Sequence, residues 1–187
     1  IPIYKNDEQK DLVMGAASKI ETELKKAGVT VKLDFDENRK PGWKFAEYEL
    51  KGVPLRIAIG PRDVENNVIE LARRDTQTKE SVPQEGLGSY ISNLLDVIQD
   101  TIYKKALTYR DEHITEVNDY NEFKEVLESK GGFISAHWDG TEETEEKIKK
   151  ETKATIRCIL LDNKKEEGTC MYSGKPSSER VIFAKAY

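Results

Sequence analysis

Apolar residues recur along this chain at two spacings, and the change from one to the other marks out its elements. Leu12, Val13, Ala16, Ala17, Ile20 and Leu24 repeat at three and four residues. That spacing predicts a helix from Asn6 or Asp7, either of which can cap it, to about Ala27, with Gly28 as its stop. Ile1–Tyr4 before it reads as a strand. VTVKLDF (Val29–Phe35) alternates and predicts another strand. A polar loop, DENRKPG, leads to a short helix over Trp43–Lys51, closed by Gly52. VPLRIAIG (Val53–Gly60) is a clear strand stopped by Gly60-Pro61, and NVIELARRD and TKESV read as two more. Strands and helices in this alternation predict an α/β first domain, a sheet with helices packed on it.

A long helix follows from Ser89, with Ile91, Leu94, Leu95, Ile98, Ile102 and Ala106 as its buried stripe, running to Glu112. The domain boundary is expected at its end, giving residues 1–112 and 113–187. In the second part, Val117, Tyr120, Phe123, Val126 and Leu127 predict an amphipathic helix ended by Gly131-Gly132. FISAHW, ATIRCILL and RVIFAKA read as strands, and Glu142–Thr152 as a charged helix. This second unit is a small α+β domain with a thin core, of a size that often needs a staple such as a metal. No internal repeat or low-complexity segment interrupts the chain.

Composition narrows the class. With 187 residues and 37% hydrophobic content the chain can build a real core, in one large domain or two small ones. Charged residues make up 35% and aromatics 8%; with well-patterned apolar runs, this argues against disorder. No apolar stretch approaches the roughly 20 residues a bilayer needs, and no signal peptide is seen, so neither a membrane partner nor export is expected. The net charge of −5 does not by itself call for nucleic acid, but a whole-chain sum can hide a local basic face. Two cysteines, Cys158 and Cys170, make a disulfide scaffold improbable and favour a reducing compartment. The opening IPIY has no Met and starts as though within a strand, so the chain is expected to be a piece of something longer.

Candidate chemistry is sparse. GLGS (Gly86–Ser89) before a helix could hold a phosphate on free N–H groups, but it reads better as a helix-start turn. SSER (Ser177–Arg180) lacks the glycine cluster a nucleotide loop needs. His113 and His137 stand far apart with no distinctive nucleophile near either, and no acid/base pair, triad or complete metal set appears. No catalytic residue is expected. GWKFAEYELKGVPLRIAIGPRD (Gly42–Asp63) is different, because it sets Lys44, Glu47, Glu49, Lys51, Arg56, Arg62 and Asp63 around Trp43, Phe45 and Tyr48. It reads either as a solvated helix and an edge strand, or as a face that recognises bases. Guanine offers O6 and N7 as acceptors and N1–H and N2–H₂ as donors; an Arg can fork onto the first pair and a carboxylate can take the second. GTCMYSGKP (Gly168–Pro176) has the form of half a zinc site, C-x-x-C-G-K-P, with its second sulfur replaced by the Ser173 hydroxyl.

GWKFAEYELKGVPLRIAIGPRD, ETKATIRCIL (Glu151–Leu160) and GKPSSERVIFAKAY (Gly174–Tyr187) together resemble the C-terminal part of the prolyl-tRNA synthetase family, in its archaeal/eukaryotic-like type. The resemblance covers essentially the whole chain, in order. It implies a mixed-sheet class II anticodon-binding domain followed by a small domain akin to the family's zinc-binding domain. The class II catalytic motifs, F-R-x-E and a Gly-rich segment ending in Glu-Arg, are not found. The resemblance therefore implies a chain that binds tRNA(Pro) but does not make prolyl-adenylate alone. It implies a full protein, a cytoplasmic proline–tRNA ligase, that uses ATP and Mg and dimerises mostly through the catalytic core. Cofactors are expected only in that full protein, and DNA is not an expected partner. The alternative is a free-standing anticodon-fold module that binds RNA or protein.

Proline anticodons all end in two guanines, the base for which the mixed charges of Gly42–Asp63 suit. By motif, the resemblance assigns anticodon contacts to Glu49, Arg56, Arg62 and Asp63, and to Lys79 in T-K-E-S. Arg56 and Arg62 would donate to guanine acceptors or phosphate, and Glu49 and Asp63 would accept from N1–H or N2–H₂. Trp43 and Phe45 are core or a stacking wall. Family members that bear zinc carry C-x₄-C early in the last domain and C-x-x-C before G-K-P or G-R-P, a set suited to a closed tetrahedral site. Here those positions hold Asp139, Thr144, Cys170 and Ser173, which implies a degenerate site without zinc. Three replacements for the metal are open: hydrogen bonds of Asp139, Thr144 and Ser173 to backbone N–H groups, apolar contacts of Trp138, Met171 and Tyr172, or a mobile loop at Asn163–Thr169. Cys158, off the ligand pattern, is expected to be a buried small apolar residue. Tyr187 matches the family's terminal Tyr, whose carboxylate reaches toward the catalytic core.

Overall fold

The computed structural model describes residues 1–186, so the expectation for Tyr187 lies outside the described residues. The chain forms two compact units, Ile1–Lys105 and from Ala106 onward, each of mixed α and β structure. In the first, α1 (Asp7–Lys26) starts where expected: the Asn6 side chain accepts from the Gln9 N–H at 2.9 Å, and Asp7, Glu8, Lys25 and Lys26 complement the helix dipole. It is followed by α2 (Pro41–Leu50), β1 (Leu55–Ala58), the short α3 (Pro61–Glu65), β2 (Val68–Arg73), β3 (Lys79–Pro83) and α4 (Leu87–Glu112), whose last residues, from Ala106, fall in the second unit. Strands β1, β2 and β3 form an antiparallel meander in that order. Ile69, Leu71 and Val82 join Val13, Ala17, Ile20 and Leu24 of α1 and Leu87, Ile91, Leu94 and Ile98 of α4 in one buried cluster.

Three sequence expectations are corrected here. Val29–Phe35 is not a strand. Its apolar side still packs on the core through Val29, Val31 and Leu33, but an apolar cavity of about 220 Å³ lies between this segment and Leu55 and Ile57 of β1. The alternation reported which side is buried, and carried no information about a ladder partner. Ile1–Tyr4 makes only an isolated parallel bridge, Pro2 to Ile59. The buried stripe of α4 ends at Ile98: the period continues, but Ile102 is half exposed and Ala106 is exposed. The GLGS segment is a helix start, as its turn reading implied, with the Gly88 N–H donating to Glu23 Oε1 at 2.9 Å.

The helix α2 is seated by a buried charge. Lys44 is 4% exposed, and its ammonium lies 3.0 Å from Asp34 Oδ1 and 3.2 Å from the Asp34 carbonyl. The Tyr48 hydroxyl, one turn on, donates to Asp34 Oδ2 at 2.7 Å. Burial alone would raise the Asp34 carboxyl; hydrogen bonds from Tyr48, the Asp36 N–H and Lys44 outweigh it and bring it to about 2. Burial and the same carboxylate push Tyr48 up to about 12.

The second unit contains β4 (Ile114–Glu116), α5 (Tyr120–Ser129), β5 (Phe133–His137), α6 (Glu142–Thr152), β6 (Ala154–Cys158), β7 (Gly168–Thr169), β8 (Pro176–Ser177) and β9 (Arg180–Lys185). Its sheet runs β4-β5-β9-β6, with β4 parallel to β5 and β9 antiparallel to both neighbours, and β7 pairs β8 in a small separate ladder. Val181 to Ala184 of β9 are all buried; Phe183 meets Phe123 of α5 edge-on at 5.4 Å, and Ile148 of α6 completes the layer. The expected ATIRCILL strand stops at Cys158, where the register with β9 shifts between Ile156 and Cys158. A bulge re-aims the side chains beyond it. Cys158 is therefore exposed rather than buried, and Ile159, Leu160 and Leu161 are exposed after it.

The pair beneath α2 makes a sharp prediction. Lys44→Ala leaves the part-buried Asp34 with its cationic partner gone, and should destabilise the first unit by about 3 kcal/mol, the low end for a broken buried pair. Urea unfolding followed through Trp43 in a Trp138→Phe background measures it. An effect under about 1 kcal/mol would show that the pair does not seat the helix.

Candidate nucleic-acid interface

Register builds a pocket of mixed charge and aromatic lining on the first unit. Arg56 of β1 and Lys79 of β3 both pair with the same residue of β2, Ala72. The row therefore reads Arg56, Ala72, Lys79 across the meander. A small side chain between two long cationic ones leaves a notch, and the end of α2 walls it with Phe45, Tyr48 and Glu49. The resulting pocket holds about 80 Å³.

Each wall is held in place. The Arg56 guanidinium lies 3.6 Å from the Phe45 ring centroid, a stacked cation–π contact. Its Nη1 is 3.4 Å from Glu70 Oε1, and Lys79 Nζ is 3.8 Å from the same oxygen. One carboxylate thus sits between two cations, and its charge cannot neutralise both. Phe45 lies outside the buried cluster of the first unit and carries the Arg56 guanidinium on its ring. Trp43 lies outside the pocket, half exposed, with the Arg39 guanidinium 4.6 Å from its ring. Glu49 is exposed at the pocket rim, its main-chain carbonyl accepting from Arg74 Nε at 2.9 Å.

Glu49, Arg56 and Lys79 are thus brought together, whereas Arg62 and Asp63 are not in this pocket. Both belong to α3. Asp63 Oδ2 accepts from the Gly60 N–H at 2.7 Å, so one of its oxygens is committed to the helix start. The Arg62 side chain is exposed. Sequence reasoning missed Glu70, Ala72, Arg73 and Arg74. The Arg73-Arg74 pair was visible as charge in a strand, but its place at the pocket depends on strand register.

In the second unit the four positions of the zinc pattern converge, without the chemistry zinc needs. Asp139 is the hub. Its Oδ1 accepts from the Thr141 N–H at 3.1 Å and hydroxyl at 2.8 Å, and its Oδ2 from the Thr144 hydroxyl at 2.9 Å and the Ser173 hydroxyl at 2.7 Å. Cys170, buried, accepts on Sγ from the Ser173 N–H at 3.5 Å. The carboxylate is fully supplied with donors, the hydroxyls are poor metal ligands, and one thiol remains, so this donor set does not fit zinc. Among the described residues no group of three or more His, Cys, Asp or Glu is placed to hold a metal ion. The hydrogen-bonded staple runs mainly from side chain to side chain, with the Thr141 N–H as its one backbone donor to Asp139. Met171, Trp138 and Tyr172 pack on the core beside it. The 163–169 loop is tied down as well: Asn163 Nδ2 donates to the Arg180 carbonyl at 2.8 Å, and Glu166 lies 2.9 Å from His137 Nε2 and 2.5 Å from Arg180 Nε.

Burial would raise the Asp139 carboxyl, but hydrogen bonds from Ser173, Thr141 and Thr144 bring it down to about 2. A depressed carboxyl contributes stability that is present above its unfolded value, near 4, and is lost as pH falls through about 2. Asp139→Asn should remove about 2 kcal/mol at neutral pH and flatten this acid-dependent part of the stability curve. Chemical denaturation followed through Trp138 between pH 6 and pH 2 checks both. Equal slopes for the two proteins would show that Asp139 is not the hub.

Comparison with known proteins agrees with this architecture in both units. The family described as "Anticodon binding domain" matches residues 1–94, and the family described as "Prolyl-tRNA synthetase, C-terminal" matches residues 120–187. A protein named Proline--tRNA ligase from Flavobacterium psychrophilum is 60% identical over 100% of this chain, and one of the same name from Porphyromonas gingivalis is 58% identical over 100%. The chain spans 38% of the length of each of these curated relatives. A crystal structure of prolyl-tRNA synthetase from Cryptosporidium parvum, complexed with L-proline and AMP, superposes with a TM-score of 0.89 at 32% identity, covering 100% of this chain and 39% of that one. With half of its length matched as an anticodon binding domain, the chain belongs to that family, and it carries the C-terminal domain of the prolyl-tRNA synthetases behind it.

Proposed function

We propose that this chain reads the anticodon of tRNA(Pro) for a proline–tRNA ligase, and that the Arg56–Ala72–Lys79 row facing Glu49 is the base-reading site. The row is the observation that carries the reading. It offers a planar fork already laid flat on Phe45, a second cation across a notch, and a carboxylate on the rim. Arg56 donates to guanine O6 and N7, Glu49 accepts from N1–H and N2–H₂, and Lys79 supports the acceptor edge or the adjoining phosphate. Stacking holds the Arg56 plane before RNA arrives, so little side-chain entropy is lost on binding. Arg62 is assigned to the RNA backbone beside α3, and Asp63 acts through its cap of that helix. Proline activation, with its ATP and Mg, belongs to the part of the relatives' length that this chain does not span, as does most of a dimer interface. Tyr187, which matches the family's terminal Tyr by motif, is assigned to that catalytic part. Among the described residues no helix is long and apolar enough to cross a membrane, and a cytoplasmic setting fits a tRNA partner.

Titration of the chain with a proline anticodon stem-loop, at low and moderate salt, tests the reading. Replacing either anticodon guanine by adenine should weaken binding by ~1–3 kcal/mol, the size of a lost bidentate base contact. Arg56→Ala and Glu49→Ala should each weaken the guanine loop and narrow its margin over one adenine loop. Equal binding of all three loops by the unaltered chain would count against base readout.

A further inference from the structure

Three arginines line the pocket, and two are already engaged. Arg73 places Nε 3.1 Å and Nη2 2.7 Å from the two oxygens of Asp75, a closed bidentate pair. Arg56 is stacked on Phe45 and reaches Glu70. Arg74 differs. Its Nε donates to the Glu49 carbonyl at 2.9 Å, its main-chain N–H to the Pro54 carbonyl at 3.0 Å, and its own carbonyl accepts from Gln77 Nε2 at 2.7 Å. Gln77 holds a positive φ of 58°, a conformation uncommon for a residue with a side chain. From this turn the Gln77 side chain reaches back to Arg74.

The result is an exposed arginine whose main chain is held at two points and whose side chain is tethered through Nε, with no carboxylate partner among the described residues. A guanidinium tethered through Nε has lost part of its freedom in advance, and its two outer nitrogens match the two free oxygens of a phosphodiester. We infer that Arg74 is a phosphate-binding residue of this pocket, gripping the RNA backbone beside the base that Arg56 and Glu49 read. The inference rests on the reading of the pocket as an RNA site. Arg74 adds affinity that is blind to sequence, while the Nε tether sets the distance between the phosphate and the Glu49 end of α2. Base and backbone are thereby measured against one another by a single hydrogen bond.

Salt titration of anticodon stem-loop binding separates these roles. Arg74→Ala should weaken binding roughly tenfold at low salt, the size of one charge-assisted contact. It should also make the negative slope of log K against log salt shallower by about 0.7, the value for one phosphate on a single strand. The loss should be equal for the guanine and adenine loops. Arg74→Lys keeps the charge and loses the Nε tether, so it should restore the slope while recovering only part of the affinity. An Arg74→Ala slope equal to that of the unaltered chain, or Lys and Ala variants with the same slope, overturns the inference and leaves Arg74 as a tether for α2. If the unaltered chain binds none of the loops, the reading of the pocket itself falls, and this inference with it.

Discussion

A carboxylate taken out of water must be given donors by whatever chain surrounds it, and the loops of this protein are arranged around that demand. Asp34 draws in Lys44 and Tyr48 and so fixes α2. Asp63 holds the start of α3, and Asp75 closes the turn between β2 and β3 by clamping Arg73. Asp139 gathers two loops of the second unit through three hydroxyls and a main-chain N–H. Each is short, so its reach is limited to neighbours that the backbone already brings close, and each therefore specifies a loop geometry rather than merely tolerating one. The pocket between α2 and the meander is braced by two of these centres: the Asp34 group beneath α2, and the Asp75 clamp beside Arg74.

The pocket itself is a consequence of strand pairing. Ala72 is unremarkable as a residue, yet as the shared partner of Arg56 and Lys79 it decides whether there is a notch or a filled surface. A larger side chain there would close the space between the cations without touching either charge. The same register puts Glu70 where both cations can approach it, which keeps them near the sheet and directed across the notch.

Much of this was legible in the sequence, and the exceptions share a cause. Helix α1 was placed because its cap, Asn6, and its terminal charges act within a single turn, and α6 by its run of charged residues; the Thr141 cap of α6 is seen only in the structure. The resemblance to a family assigned Glu49, Arg56, Arg62, Asp63 and Lys79 together, and the fold brings Glu49, Arg56 and Lys79 of these to one pocket. What could not be read is what depends on a partner distant in sequence: the failure of Val29–Phe35 to join a ladder, the exposure of Cys158 after a bulge, and the company Arg74 keeps. Asp139 shows the limit most clearly. Its position in the pattern was readable, and its role as acceptor was among the possibilities, but its donors were expected on the backbone. They lie mostly on three hydroxyl side chains brought together by the fold.

The order of strands in the second unit also bears on how the protein is made. Strand β9, at the centre of that sheet, is the last of its strands in sequence, and every residue from Val181 to Ala184 is buried. On the ribosome, β4, β5 and β6 emerge with an empty slot between β5 and β6. Until β9 has cleared the exit tunnel, both flanking edges and the apolar face of α5 stay open to other chains. The unit therefore closes in one late step, and any nascent chain halted before that strand presents unpaired edges of the kind that chaperones shield and proteases find.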